Sequence, residues 1–389
     1  MLRLCTSILI SLLWFFLAVG TKQNPANNGI ESIFDDLADR DSPGLSVLVR
    51  RNGSTVFEHG YGMRDLATKS SIDSDTNFRL ASCTKQFTAM AVMLLVHDGK
   101  LRYEERLTDV FPEFPDYGKA ITIRNLLNHT SGLPDYESLM EVASPRSRWS
   151  NDKQIHDEDV LALLETQQHG KFSPGKQWSY SNSGYVVLGL AVGKVSGKSF
   201  PDFLHDRIFE PLGMNHTLAY VSGINTISNR AYGYSREGSR FLRTDQSATS
   251  ATLGDGGVYS NLEDLKKWDD ALAHHTLISS DAMKAALTPA KLPDGSIPGW
   301  SSDPDDADTQ VGKPVFYGFG WFLDDYRGRR RMWHYGETVG FRTAIERFTE
   351  DKLTIVILCN RSDLDPALLA GHVADVCLRL PRHGNPIQR

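Results

Sequence analysis

The chain has 389 residues, of which 40% are hydrophobic and 23% are charged, and its net charge is −6. This length and composition are typical of a globular protein with one large domain or two modest ones. The one dense basic run, at residues 327–331, is short and turn-like, so we expect a solvated loop there and no nucleic-acid partner.

The first twenty residues have the pattern of an export signal. Arg3 precedes an apolar run from Leu4 to Val19, and Ala18 and Gly20 supply small residues at the spacing of a signal peptidase site. The run is shorter than the ~20 residues of a membrane span, which disfavours a stable membrane anchor, with an uncleaved anchor as the alternative. We predict a signal peptide at 1–20, a mature domain at 21–389, and a periplasmic or extracellular location.

Cysteine and histidine usage indicates neither a disulfide framework nor a metal site. Three cysteines (Cys83, Cys359 and Cys377) follow the signal, and we expect buried free thiols, with a pairing of the last two left open. No histidine or cysteine spacing matches a metal motif, and the acidic stretch at 303–308 lacks the glycine and distal glutamate of a calcium loop. We expect no metal and no cofactor.

The N-terminal part predicts a hairpin and then a long helix. Leu45–Arg51 and Ser54–Tyr61 read as strands joined at Asn52-Gly53, a dipeptide that tolerates the positive φ of a tight hairpin turn. A helix is predicted from about Ser82 to Asp98, with Gly99 as its stop.

The rest of the chain is predicted to be helical in the middle and β-rich towards the end. Predicted helices are Ile123–Asn128, Glu158–Gln167, Ser183–Ser196, Pro201–Phe209, Leu262–Ala273 and Pro366–Leu380. Predicted strands are Gly318–Leu323, Arg331–His334, Thr343–Phe348 and Leu353–Leu358, and residues 289–314 read as a surface loop. We expect an α/β fold in which both termini build a sheet subdomain (about 30–90 and 255–385) around an inserted all-helical subdomain (about 91–254).

Three Ser-x-x-Lys motifs occur, and only one opens a long amphipathic helix. Ser82 and Lys85 lie at the predicted helix start, whereas the motifs at Ser150 and Ser173 lie in polar and turn-like segments. Residues three apart on a helix share a face, and the unpaired N–H groups of a helix start favour a neutral lysine and a negative oxygen. We predict Ser82 as nucleophile and Lys85 as its base. The alternative makes Ser82 an N-cap and Lys85 a surface residue.

A tyrosine could complete the proton transfer, and the tripeptide Tyr-Ser-Asn occurs twice. Tyr180-Ser181-Asn182 follows a Pro-Gly turn and lies in a predicted loop, from which side chains can reach a cleft. In the second copy, at Tyr259, Ser260 and Glu263 fit a capping box for the following helix. We therefore predict that Tyr180 carries acid–base chemistry and that Asn182 orients the lysine and the substrate.

His334-Tyr335-Gly336 ends the predicted strand Arg331–His334. A strand edge can offer backbone N–H and C=O groups to an extended substrate, and Gly336 would allow a close approach. His97-Asp98-Gly99 has a similar pattern, but Gly99 there is a helix stop. A lone histidine at a strand end is usually structural, so this assignment depends on the other two motifs.

Together, Ser82-Cys83-Thr84-Lys85, Tyr180-Ser181-Asn182 and His334-Tyr335-Gly336 resemble the class C β-lactamase and D-alanyl-D-alanine carboxypeptidase family of serine hydrolases. The motifs stand in the family's order, 98 and 154 residues apart, and residues 126–133 and 256–260 also look like the family. The resemblance covers roughly Ile30 to Leu380.

The resemblance implies a β-lactamase/transpeptidase-like fold and roles for named residues. Ser82 would attack a carbonyl, Lys85 and Tyr180 would share the acid–base work, and Asn182 would steady Lys85 and the substrate amide. The strand at His334 and Gly336 would dock the substrate, and the N–H groups of Ser82 and Glu337 would form the oxyanion hole. His129 and Ser131 would belong to a structural stretch.

The third motif departs from the Lys-Thr-Gly of many family members, because His334 replaces a permanent positive charge. Arg342 could supply that charge to a substrate carboxylate, or it could lie on the solvent face. We therefore expect a hydrolase of small or peptide-like esters or amides, possible substrates including cell-wall-derived peptides, rather than a true β-lactamase. The alternatives are a β-lactamase, a penicillin-binding carboxypeptidase or regulatory protein that turns over slowly, and an inactive scaffold.

Overall fold

The computed structural model describes residues 29–37, 41–143, 149–300 and 313–380, with nothing said of the side chains of 141–143. The predicted signal peptide at 1–20 lies outside these ranges, as does the acidic stretch at 303–308. Among the residues described, no helix has the length and apolar composition needed to cross a membrane.

Thirteen strands are found in the described part of the chain, and we number them in chain order. They are β1 (Leu45–Arg51), β2 (Ser54–Tyr61), β3 (Met63–Asp65), β4 (Ser70–Ser71), β5 (Phe78–Arg79), β6 (Leu218–Ala219), β7 (Tyr234–Glu237), β8 (Arg240–Arg243), β9 (Val258–Ser260), β10 (Phe322–Tyr326), β11 (Arg329–Thr338), β12 (Phe341–Phe348) and β13 (Leu353–Cys359).

The α-helices are α1 (Lys85–His97), α2 (Leu107–Val110), α3 (Ile123–Leu127), α4 (Tyr136–Ala143), α5 (Asp157–Glu165), α6 (Asn182–Ser196), α7 (Phe200–Leu204), α8 (Leu262–His274), α9 (Ser280–Met283) and α10 (Pro366–Leu378). Single 3-10 segments lie at Asp35–Leu37, Ala81–Thr84 and Asp116–Ala120, and residues His205–Phe209 form a π-helical turn after α7.

Both ends of the chain build one antiparallel sheet, as the sequence predicted. Its six strands stand in the order β10-β11-β12-β13-β1-β2, so the N-terminal hairpin lies beside the last strand, with Leu45 opposite Cys359. The hairpin turn has positive φ at both Asn52 (52°) and Gly53 (78°), which is the geometry of the tight turn that this dipeptide favours.

The two faces of the sheet bury separate apolar cores, because side chains alternate along each strand. Val47 and Ile355 pack with α10 and with residues of the 29–37 segment on one face. Leu48 and Val356 point to the other face, where they join the larger core formed by the helices. The helical part is therefore fixed to the sheet on the side that carries Ser82.

The structure corrects three details of the predicted elements. The middle of the chain is not helical throughout, since it contains β6 and the β7–β8 hairpin. The strand predicted at Arg331–His334 extends to Thr338, so His334 lies inside a strand rather than at its end. Residues 318–321 are irregular, and the strand predicted there begins only at Phe322.

The three cysteines of the described residues are free and buried, so Cys359 and Cys377 do not pair.

Candidate active site

Ser82 lies in the 3-10 turn Ala81–Thr84, directly before α1, and this turn packs against β11 and β12. The N-cap residue of α1 is Thr84, and it makes no side-chain cap bond, so the alternative that Ser82 is merely a helix cap is wrong. Ala81 has a φ of 47°, in the left-handed region that residues with a Cβ rarely adopt. Such strained backbone is found disproportionately at functional sites, and here it directly precedes a partly exposed serine.

Lys85 is fully buried beside Ser82. Its Nζ lies 3.2 Å from Ser82 Oγ, 2.8 Å from Asn182 Oδ1 and 3.1 Å from the carbonyl oxygen of Asp255. Burial lowers the pKa of Lys85 from its ordinary value to about 8, although nearby carboxylates, Asp255 first, act in the opposite direction. A neutral amine keeps two N–H donors for Asn182 and Asp255, and its lone pair is then available to the Ser82 hydroxyl.

Tyr180 lies in the loop before α6, next to the lysine. The Lys85 Nζ atom is 4.8 Å from the centre of the Tyr180 ring, and Phe322 stacks on that ring at an interplanar angle of 5°. The ring centres of Tyr180 and His334 are 6.2 Å apart, so the second and third motifs meet here.

His129 holds the backbone on both sides of Tyr180. The Ser179 N–H donates to the His129 carbonyl oxygen at 3.0 Å, and the Ser181 N–H donates to His129 Nδ1 at 3.2 Å. The imidazole also packs 4.4 Å from the Tyr180 ring centre. Burial, and then the charge of Lys85, lower the pKa of His129 well below its usual range, so the ring is neutral. Because Nδ1 accepts the Ser181 N–H, the proton of the neutral ring is on Nε2. The sequence interpretation of His129 as a packing residue did not include this contact with the loop that carries Tyr180, and only the nearby family-like stretch hinted at it.

Asn182 is the first residue of α6, and its side chain is available because its neighbour caps the helix. Ser181 Oγ accepts from the Gly184 N–H at 3.1 Å, which satisfies the helix start. The Asn182 side chain therefore accepts from Lys85, and its backbone N–H donates to Asp135 Oδ2 at 3.2 Å.

The rival tripeptide is in a different setting. Tyr259 is buried in β9, and its hydroxyl lies 3.4 Å from Arg230 Nη2. The capping box expected of Ser260 and Glu263 is wrong. Asn261 caps α8 by accepting from the Asp264 N–H at 2.9 Å, and Ser260 Oγ instead pairs with a threonine hydroxyl at 2.7 Å.

The two rival Ser-x-x-Lys motifs lie in exposed turns. Ser150 Oγ accepts from the backbone N–H of Lys153, and the Lys176 N–H donates to the carbonyl oxygen of Ser173. Both serines and both lysines are exposed. Neither lysine therefore has the burial that lowers the pKa of Lys85.

Gly336 allows β11 to approach the nucleophile turn. A Cβ added at Gly336 would lie 2.2 Å from the Leu80 carbonyl oxygen and 2.2 Å from Thr343 Oγ1, so no side chain fits. Thr343 Oγ1 donates to the same Leu80 oxygen at 2.9 Å, and Cys83 Sγ donates to the His334 carbonyl oxygen at 3.2 Å. These bonds fix the strand beside Ser82.

His334 is a buried neutral residue. Its Nδ1 lies 2.6 Å from the Tyr335 carbonyl oxygen, which can only accept, so Nδ1 carries the proton and Nε2 accepts from the Tyr317 hydroxyl at 3.2 Å. Burial, followed by the charge of Lys85, lowers the pKa of His334 to about 3. The imidazole therefore presents no positive charge near neutral pH.

Arg342 points away from the nucleophile turn. Side chains alternate along β12, and its neighbour Thr343 contacts that turn, so Arg342 lies on the opposite face of the strand. Its guanidinium pairs with Glu337 Oε1 at 2.6 Å and donates to the Thr338 and Phe341 carbonyl oxygens at 2.7 and 2.9 Å. The suggestion that Arg342 supplies charge to the cleft is therefore wrong.

A small cleft borders Ser82, and Asn182 and Glu337 also line it. Glu337 is the residue whose backbone N–H was expected to share the oxyanion hole with that of Ser82. Away from this cleft, His205, Asp206 and Glu210 cluster closely enough to hold a metal, but Asp206 is already paired with Lys198 and His205. We assign no metal there.

Comparison with known proteins now identifies the family, since the family model "Beta-lactamase" matches residues 30–377. The chain belongs to the beta-lactamase family. It is 31% identical over 355 residues to "Penicillin-binding protein 4*" of Bacillus subtilis (strain 168), with 88% of this chain and 73% of that protein covered.

Solved structures agree on the fold. D-amino acid amidase from Ochrobactrum anthropi SV3 superposes with a TM-score of 0.73 at 26% identity, over 92% of this chain and 99% of that one. The octameric penicillin-binding protein homologue from Pyrococcus abyssi gives a TM-score of 0.75 at 24% identity, over 91% and 77%. The predicted β-lactamase/transpeptidase-like fold is thus confirmed, and the chain is a member of a family of serine hydrolases that act on small or peptide-like substrates.

In this beta-lactamase family protein, the third motif reads His-Tyr-Gly and carries no positive charge near neutral pH. His334 is uncharged and Arg342 is paired on the far side of its strand, so neither residue offers a cation to a substrate carboxylate.

Proposed function

We propose that this chain is an exported serine hydrolase that cleaves ester or amide bonds of small or peptide-like substrates through an acyl-Ser82 intermediate. One observation carries the proposal: a buried lysine whose pKa is lowered to about 8 contacts both the Ser82 hydroxyl and Asn182. An inactive scaffold has no need for a buried, partly neutralised lysine beside an accessible serine.

In acylation, neutral Lys85 takes the Ser82 proton as Oγ forms a bond to the substrate carbonyl carbon. The carbonyl π electrons move to the oxygen, which the N–H groups of Ser82 and Glu337 stabilise. Collapse of the tetrahedral intermediate breaks the bond to the leaving group, and Lys85 or Tyr180 protonates that group. A water molecule then gives a proton to the same base and attacks the acyl carbon. The bond from that carbon to Ser82 Oγ breaks, the acid leaves, and Oγ regains a proton.

The absence of a positive charge at the third motif favours simple esters and amides over β-lactams. A charge-assisted contact to a substrate carboxylate contributes about 1.5–3 kcal/mol, or roughly 10–150-fold, and here neither His334 nor Arg342 provides it. Penicillin binding with slow turnover is the second candidate, because the named relative from Bacillus subtilis is a penicillin-binding protein.

A parallel assay of one preparation tests this proposal. p-Nitrophenyl esters, an amino-acid amide, nitrocefin and a D-alanyl-D-alanine peptide are compared by kcat/KM, with Ser82→Ala as the inactive control. We expect the best ester or amide to exceed nitrocefin by at least about 10-fold. Faster hydrolysis of nitrocefin than of every ester and amide would overturn the preference. Equal activity in Ser82→Ala would overturn the mechanism.

A further inference from the structure

The cleft beside Ser82 has an acidic wall. Among the residues that line it, the carboxylates are Glu137, Asp255 and Glu337, and the one cation in the described part of that lining is Arg79. Glu337 is paired with Arg342 at 2.6 Å. Glu137 and Asp255 therefore give this wall two carboxylates besides the paired Glu337.

Asp255 is the member of this wall whose geometry points to a ligand. Its carboxylate is buried, with the residue 6% exposed, and Oδ2 accepts from the Tyr136 hydroxyl at 3.1 Å. The other oxygen, Oδ1, has no hydrogen-bond partner among the residues that the structure describes. A buried anionic oxygen without a donor is costly, so a donor that arrives with the substrate would be stabilised there.

Asp255 is also within reach of the reacting group. Asp255 and Ser82 line the same small cleft, and the backbone carbonyl oxygen of Asp255 accepts from Lys85 Nζ at 3.1 Å, the atom that also contacts Ser82 Oγ at 3.2 Å. An α-amino group is separated from the scissile carbonyl carbon by only two covalent bonds. An aminoacyl group attacked by Ser82 can therefore place its nitrogen near Asp255.

The chemistry of Lys85 makes a cation in this place useful. Asp255, Asp135 and Glu137 all favour the charged form of Lys85, yet the base must be neutral to act. When Lys85 is neutral, Asp255 loses a nearby positive charge. A substrate ammonium would restore the balance, and by repulsion it would favour the neutral lysine.

Arg79 offers a weaker site for an anion. Its guanidinium donates to the Gly256 and Ser250 carbonyl oxygens at 3.2 and 3.1 Å, and only Nη1 lacks a partner among the described residues. An anion at Nη1 would also lie in the same cleft as Asp255 and Glu137, which would repel it.

We propose that the acyl part of the substrate carries a protonated amine, bound by Asp255 with help from Glu137. The substrate class is then amides or esters of amino acids with a free amino group. This inference rests on the proposed acyl-Ser82 hydrolase and specifies its substrate.

The test uses four p-nitroanilides, those of D-alanine, L-alanine, propionic acid and succinic acid, which differ in whether the acyl group carries an amine, no charge or a carboxylate. At pH 7 we expect one alanine enantiomer to exceed the propionyl compound in kcat/KM by at least about 10-fold. Asp255→Asn should bring that ratio close to one, and Glu137→Gln should lower it less. Asp281→Asn, at a carboxylate whose side chain is 86% exposed, should keep the wild-type ratio.

A ratio near one in the wild type, or a high ratio that persists in Asp255→Asn, would overturn the inference, as would preference for the succinyl compound. Because Asp255→Asn also changes the surroundings of Lys85, only the ratio between substrates is interpreted. Protection of Ser82 from fluorophosphonate labelling by alaninamide, compared with propionamide, makes the same comparison without turnover. Labelling of Ser82 without this discrimination would overturn the amine subsite alone, whereas absence of labelling would overturn the proposed function.

Discussion

Two copies of Tyr-Ser-Asn lie at the start of two helices, and they differ by one residue in which side chain caps the helix. In the first copy Ser181 caps the helix, so the Asn182 side chain is available to Lys85. In the second copy Asn261 is itself the cap, and its Oδ1 is occupied by the Asp264 N–H. The choice of capping residue, rather than the three letters, decides whether the asparagine can take part in chemistry.

The cations beside the two tyrosines differ as well. Tyr180 lies next to Lys85, whose pKa of about 8 lets it lose a proton near neutral pH. Tyr259 lies next to Arg230, whose Cζ is 5.3 Å from the ring centre and which is paired with Asp245. Arginine stays charged in proteins, so the second tyrosine has no partner for proton transfer.

The largest contrast is expected from removing the two hydroxyls. Tyr180→Phe should lower kcat by at least about 100-fold, the lower range for a general acid–base residue. Tyr259→Phe should leave kcat nearly unchanged, since its hydroxyl makes only 3.4 Å contacts to Arg230 and Gln246. Steady-state kinetics of the purified variants measures both, and the opposite ranking would show that the second copy is the catalytic one.

Replacing the two asparagines should have different effects: one replacement should lower the reaction rate, and the other should lower the stability of the fold. Asn182→Ala removes a bond from the neutral lysine, and we expect kcat/KM to fall by about 2- to 13-fold, the range for a hydrogen bond between uncharged groups. Asn261→Ala removes a helix cap and should cost about 0.5–2 kcal/mol of unfolding free energy with little change in rate. Urea unfolding and kinetics of both variants check this, and a slow but stable Asn261→Ala protein would contradict it.

The pH dependence of kcat/KM tests whether Lys85, unlike the arginine beside Tyr259, loses its proton near neutral pH. Lys85 acts as a base only when neutral, so kcat/KM for an uncharged ester should rise with pH and level off above about pH 8. The gain from pH 7 to the plateau should be about 10-fold. Because the pKa of His334 is lowered to about 3, it should add no further step between pH 5 and 9. A profile that falls through pH 8 would mean that the charged lysine is the active form.

The sequence predicted the sheet better than the site. β1 and β2 match to the residue, because their β-branched and aromatic residues and the turn dipeptide Asn52-Gly53 define them locally. The extension of β11 past His334 was missed, since pairing with β12 decides it and residues 334–338 have no apolar pattern of their own. The contacts of His129 and the far-side position of Arg342 depend on packing between segments remote in the chain. One sequence does not encode those contacts in any local pattern.

Ser82 as the nucleophile is the central claim, and mapping a covalent adduct tests it most directly. The wild-type protein is treated with a fluorophosphonate, digested, and its peptides are analysed by mass spectrometry, with Ser82→Ala treated in parallel. The account predicts one adduct, on the peptide that contains Ser82, and none in the folded variant. An adduct on Ser150 or Ser173, or equal labelling of Ser82→Ala, would contradict it.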